Sequence, residues 1–136
     1  MKAFIIFLFS LLGYGAAMAQ SRAALDSLDK SYQACTAKKG NLYGCVLTYY
    51  KSMDSLLHRS YSEAYTKLDS TRKHGLEVDQ KAWEDKRVAY FELLDSRVGK
   101  MEKKTLNGLD DRMISTDNKA AYLRNRVLQL SRITSN

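Results

Sequence analysis

No proline occurs anywhere in the 136 residues, so nothing in the chain forbids long uninterrupted helices, and the apolar residues are spaced as helices require. Proline removes an intrahelical hydrogen bond and clashes with the preceding turn. From Val46 the series Tyr50, Met53, Leu57, Tyr61, Ala64 and Leu68 advances in steps of four and three, which keeps one stripe on one helical face. A second stripe runs from Leu76 through Trp83, Arg87, Tyr90, Leu94, Val98 and Met101. Glycines supply the punctuation: Gly40 and Gly44 flank "NLY", Gly75 follows "TRKH", and Gly99 and Gly108 bracket "KMEKKTLN".

The spacing predicts one helix over about 44–72 and another over about 76–103, each roughly 40 Å long at ~1.5 Å per residue. Gly75 suits the left-handed conformation that ends the first. Equal rods joined at "KHG" fold back as an antiparallel hairpin, with residues at one level summing to about 149. Tyr61 then lies near Arg87, and Ala64 lies near Trp83 or Asp85. Asp54 is too far along to reach Arg87, and His58, one turn on, is the expected neighbour of Asp54. Ala24, Leu25, Leu28 and Tyr32 predict a shorter helix before Cys35. Leu123, Val127, Leu130 and Ile133 or Thr134 predict a last one, capped by Ser115, Thr116 or Asp117. The expected fold is all-α, a small bundle of three or four helices built on a long antiparallel helical hairpin, with the first and last helices covering its open face.

Residues 1–19 read as a secretory signal peptide. Lys2 gives a positive start, Ala3 to Leu12 an apolar core, and Ala17-Met18-Ala19 a small-residue cleavage site. The core is shorter than the ~20 residues that cross a bilayer, and no later stretch is apolar for long enough. The expected product is a single helical domain over residues 20–136, exported to the periplasm or the extracellular space, with no transmembrane span after cleavage. Gln20 rather than cysteine follows the cut, which excludes the usual lipid attachment.

The chain holds 22 Lys and Arg against 15 Asp and Glu, and loss of a leader carrying Lys2 and no acid leaves a net charge of +6. That balance favours anionic partners. The cations are dispersed, at Lys38 and Lys39, Arg72 to His74, Lys100 to Lys104 and Arg124 to Arg132; they read as solvated helix faces rather than a nucleic-acid patch. Cys35 and Cys45, with nine residues between them, read as a structural disulfide of an oxidising compartment. A redox pair more often has two intervening residues, and zinc needs ligands that His58 and His74 are not spaced to supply. No metal or cofactor is expected. No histidine, acid and nucleophile recur in a catalytic motif and there is no phosphate loop, so the chain does not read as an enzyme.

Cys45, Tyr50, Asp54, Leu57, Tyr61 and Leu68, followed by Leu76, Gln80, Trp83 and Arg87, give "DSLLHRSY" and "LEVDQKAWEDKR". Over about residues 35–91 the chain resembles the lysozyme inhibitor LprI-like family of exported bacterial proteins. The hallmark of that family is a cysteine, an aspartate nine residues later, "LNxxY" and "LxxxQxxWxxxR". Three positions depart from the pattern: His58 replaces asparagine, Val88 an aspartate, and Phe91 a cysteine. The resemblance implies a non-enzymatic binding protein that occludes an envelope-degrading enzyme, with lysozyme or another envelope protein as partner.

Two readings of the motif residues stand side by side. Trp83 on its stripe serves as core, and Arg87 either packs on Tyr61 or joins Tyr61, Gln80 and Trp83 in a groove for an anionic or glycan ligand. Animal lysozymes are basic, so a basic inhibitor needs a local acidic patch. The candidates are Glu84 with Asp85, and Asp110, Asp111 and Asp117; the last three also read as loop solvation and a helix cap. The alternative function is a basic envelope-associated module that binds anionic wall polymer or lipid through its lysines.

Overall fold

A computed structural model describes the backbone of residues 16–102 and 108–133, with side chains over 20–100 and 111–133. Helix α1 spans Ala16–Ala37, α2 Leu42–Lys67, α3 Ser70–Glu102 and α4 Gly108–Ile133. The fold is an all-α bundle of four helices, with no strand among the described residues. The first helix is longer than its apolar residues alone suggest, and it is already helical at Ala16, ahead of the expected cleavage site. Most of the expected signal peptide, residues 1–15, lies outside the described residues.

The core forms where three apolar stripes meet. On α2, Val46, Tyr49, Met53, Leu56, Leu57 and Ala64 are buried at steps of three and four. On α4, Ala120, Leu123, Val127 and Leu130 repeat the pattern, and α1 adds Leu25 with Leu28 and Tyr32 beside it. Each fully buried leucine contributes about 2 kcal/mol of transfer free energy. The most extensive packing is α2 against α4; α1 lies on α2 and touches α4, and α3 packs on α4. The expected bundle stands and α2 and α3 do run antiparallel, but their packing differs from the expected hairpin. The α2 and α3 backbones scarcely approach each other and meet through side chains, while α4 takes the place at α2 that the sequence reading gave to α3.

The break between α2 and α3 falls at Leu68–Asp69, not at Gly75. Leu68 turns extended (φ −93°, ψ 149°) and its side chain enters the core. Asp69 then caps α3: its Oδ1 accepts from the Arg72 N–H at 3.0 Å, and its carbonyl accepts from the Lys73 N–H at 2.8 Å. Gly75 sits inside α3 without a positive φ. The register moves accordingly. Tyr50 meets Phe91, Asp54 meets Arg87 and Tyr65 bonds Glu77, pairs that sum to 141 or 142, so each partner lies about two helical turns from the expected alignment. The expected caps Ser115, Thr116 and Asp117 lie within α4, which starts at Gly108.

At the α1–α2 junction Lys39 takes the left-handed conformation (φ 50°) after α1 ends. Asn41 caps α2 by accepting from the Gly44 N–H at 2.8 Å, and the Cys35–Cys45 disulfide closes the turn with its Cα atoms 5.8 Å apart. A loop of this length restricts the unfolded chain by about 2–3 kcal/mol. A polar layer then joins three helices. Asp29 of α1 accepts from the Tyr49 hydroxyl of α2 and from Arg124 of α4 through Nη2 at 2.7 Å and Nε at 3.0 Å. The Tyr32 ring stacks on Tyr49 at 4.4 Å, and its hydroxyl donates to Asp117 at 2.9 Å.

Burial pushes the Asp29 carboxyl up, but the hydrogen bonds from Arg124 and Tyr49 outweigh it and hold the group below its usual range. Tyr32 is pushed up to about 12, by burial first and then by Asp117; Tyr49 is raised by burial and Asp29. A folded-state pKa that is depressed stabilises above the unfolded value and is lost as pH falls through it; a raised tyrosine pKa stabilises below ~10 and is lost as pH climbs through the folded value. The urea midpoint is therefore expected to be level from about pH 6 to 9 and to fall on both sides. Tyrosinate absorbance is expected to show Tyr32 and Tyr49 ionising after the exposed tyrosines; titration of every tyrosine together near ~10 would contradict the layer.

Glycine substitutions separate propensity from packing. A Cβ at Gly75 or Gly99 meets nothing within 4 Å, whereas at Gly44 it lies 2.5 Å from the Asn41 amide nitrogen. Gly75→Ala and Gly99→Ala are each expected to raise stability by about 0.5–1 kcal/mol. Gly44→Ala is expected to gain nothing, because it displaces the cap. Denaturant midpoints of the three variants check the order.

Candidate functional site

Helices α2 and α3 leave between them a groove of about 300 Å³, in which Leu57, His58 and Tyr61 of α2 face Gln80, Glu84 and Arg87 of α3, with Glu77 and Lys81 at its edge. The register set at Leu68–Asp69 makes the groove, because it brings the two halves of the sequence motif level. Tyr61 and Arg87 share it as expected. Asp54, expected out of reach, lies 3.9 Å from Arg87, and it also has the expected neighbour one turn on, His58, whose Nδ1 bonds the Asp54 carbonyl at 2.8 Å.

Behind the groove the motif side chains lock α3 to α4. Trp83 is half-buried and stacks on Tyr122 of α4 with ring centroids 5.5 Å apart, rather than lying against Ala64. The guanidinium carbons of Arg87 and Arg126 lie over the indole at 5.4 and 5.5 Å. Gln80 accepts from Arg126 through Nε at 3.0 Å and Nη2 at 2.9 Å, and its own amide donates to Glu84 at 3.1 Å. Arg126 further donates to Asp79 at 2.6 Å and Gln129 at 3.2 Å.

Hydrogen-bonding capacity remains on the groove side. The Tyr61 hydroxyl and the Arg87 guanidinium form no hydrogen bond among the described residues. Tyr61 holds its proton more tightly than usual, first through burial and then through the nearby carboxylates of Glu77 and Glu84, which exceed the opposing effect of Arg126. Glu77 accepts from the Tyr65 hydroxyl at 2.8 Å, and Lys81 pairs with Asp85 at 2.6 Å. Among the described residues no three His, Cys, Asp or Glu gather where a metal could be held.

The acidic candidates do not share one place. Glu84 lines the groove, and Asp85 is exposed on the next position of α3. Asp117 borders a separate hollow with Tyr32, Leu42, Val46, Met113 and Ile114. Asp111 is partly exposed in the first turns of α4; the side chain of Asp110 lies outside the described residues. Sequence reasoning missed the contribution of α4. The cations from Arg124 to Arg132 were expected on a solvated face, yet Arg126 is 4% exposed and Arg124 is tied to Asp29. The signal was present: Arg126 stands three residues after Leu123 and four before Leu130, on the apolar stripe itself.

The stretch from the end of α1 into the last turn of α4 matches a family model described as "Lysozyme inhibitor LprI" over residues 33–130, well past the motif region. No curated protein and no solved structure matches the chain.

Arg126→Ala strips Trp83 of one cation and leaves the Gln80 oxygen without its donors. Its expected cost is about 1–3 kcal/mol, with a red shift in emission from the single tryptophan. Asp79→Asn is expected to cost less, because the Asp79 side chain is 60% exposed and Arg126 keeps its other acceptors. Equal losses in urea melts would contradict this placement of the binding energy.

Proposed function

Because the chain belongs to the LprI lysozyme-inhibitor family, we propose that it is an exported, non-enzymatic protein that binds and occludes a lysozyme-type enzyme of the cell envelope. The match over residues 33–130 carries this reading. The Cys35–Cys45 disulfide is in keeping with it, since such bonds persist in oxidising compartments outside the cytoplasm. No described helix is long and apolar enough to cross a membrane.

Charge constrains where such an enzyme docks. The full chain carries +7, so a basic enzyme is repelled at long range and attracted only by contacts within about 8 Å at physiological salt. Glu77 and Glu84 are the carboxylates nearest Tyr61 at the groove, and after burial they are the next causes that hold its phenol proton. The reading assigns the contact to this edge of α3, with Asp85 adjacent. Steric closure of the enzyme's cleft then requires no chemistry from the bound protein.

The test is cell-wall lysis by several lysozyme types in the presence of the purified protein at micromolar concentration. Slowed lysis is expected with at least one type. Glu77→Lys combined with Glu84→Lys is expected to weaken inhibition at least tenfold, about 1.4 kcal/mol, with an unchanged melting temperature. Undiminished lysis with every type abandons the reading.

A further inference from the structure

We infer that the groove between α2 and α3 is a binding site for a short neutral oligosaccharide. The inference goes beyond enzyme occlusion and does not rest on it, since it concerns a ligand bound by this chain alone.

The chemistry of the walls selects the ligand class. The unspent donors are the Tyr61 hydroxyl and the Arg87 N–H groups. In the same groove are carboxylate acceptors, Glu84 and Glu77, each with one oxygen engaged, by Gln80 and by Tyr65, and the other oxygen in no hydrogen bond among the described residues. A sugar hydroxyl both donates and accepts, so it can satisfy the two kinds of group together. An anionic guest would meet Arg87 but also Asp54, Glu77 and Glu84; a cationic guest would meet Arg87 and Lys81. Near cancellation of charge around the groove therefore disfavours both. Tyr61 supplies an aromatic surface against which the apolar face of a sugar ring can lie, with Leu57 beneath it. At about 300 Å³ the groove is at the small end of the ~300–1,000 Å³ range of small-molecule sites, which limits it to one or two sugar rings.

Arg87 is the positioning element. Trp83 behind it and Asp54 beside it fix the guanidinium at the groove wall without consuming its hydrogen bonds, so the fork is pre-oriented for a guest. The contact with Trp83 also provides a signal, because a ligand on Arg87 perturbs the emission of the only tryptophan.

The experiment titrates the disulfide-bonded protein with a chitin-derived trisaccharide, reading Trp83 fluorescence and ligand saturation-transfer NMR, with no enzyme present. A saturable response near about 1 mM is expected. Tyr61→Ala is expected to weaken it at least fivefold without change in circular dichroism or melting temperature. If that variant is unfolded, Tyr61→Leu and His58→Ala, which keep bulk or lie at the surface, carry the comparison with the same expectation. No response by either method at about 10 mM trisaccharide, equal binding in the folded variants, or tighter binding of a trigalacturonate probe than of the neutral sugar overturns the proposal. Because lysis is not the readout, loss of this proposal leaves enzyme occlusion intact, and the reverse holds too.

Discussion

The burial of one face of α4 against α2 is the interaction on which the rest depends. Ala120, Leu123, Val127 and Leu130 are all at or below 1% exposure, in one cluster with Met53, Leu56 and Leu57. Four side chains so completely withdrawn from water contribute several kcal/mol, and they do so between elements far apart in sequence. The third helix has no comparable anchorage of its own. Its substantial helix–helix packing is with α4, through Trp83, Tyr90 and Phe91 on Tyr122 and through Arg126 on Gln80 and Asp79. Helix α4 thus holds α3 beside α2 without letting the two close on each other, and the groove is the space that results.

How much of this was legible in the sequence follows from what kind of force decides each feature. Helical character was plain, because the three-and-four spacing of α2 and the absence of proline act locally. The turn was misplaced because glycine is the louder signal, yet Gly75 carries no left-handed backbone. The chain instead breaks where Leu68 is worth more in the core than in the helix and where Asp69 can cap the next one. Aspartate before "STR" is a legitimate start signal, outweighed in the reading by "KHG". One misplaced turn then shifted every cross-helix pair, which is why Asp54 and Arg87 were judged too distant while Tyr61 and Arg87, separated by less than the error, were placed together.

The site was legible as a set of residues and illegible as an arrangement. Tyr61, Gln80 and Arg87 line one groove, as one of the two readings of the motif residues had them, with Leu57 added and Trp83 outside the lining. Their support from α4 was hidden, because arginine on a helix is ordinarily solvated and only a structure shows which one is enclosed. Arg126 can be enclosed because Asp79, Gln80 and Gln129 together accept from it and the Trp83 face covers its plane. A buried cation with three acceptors and an aromatic surface avoids most of the desolvation penalty that would otherwise expel it. Net charge gave no warning of this, since it counts Arg126 equally with lysines that stand in water.

A strongly basic chain can still hold local patches in which charges of both signs stand together. Several cations are turned inward or paired: Arg124 on Asp29, Arg126 on Asp79, Lys119 on Asp95, Lys81 on Asp85. At the groove Lys81 and Arg87 stand against Glu77 and Glu84, with Asp54 beside Arg87. Arg87 differs from Arg126 in one respect that separates structure from recognition. Both lie over the same indole at similar distances, but Arg126 has its hydrogen bonds completed within the fold, while those of Arg87 remain to be met from outside. One tryptophan therefore supports two arginines with opposite assignments, the inner one closing the bundle and the outer one facing whatever the groove receives.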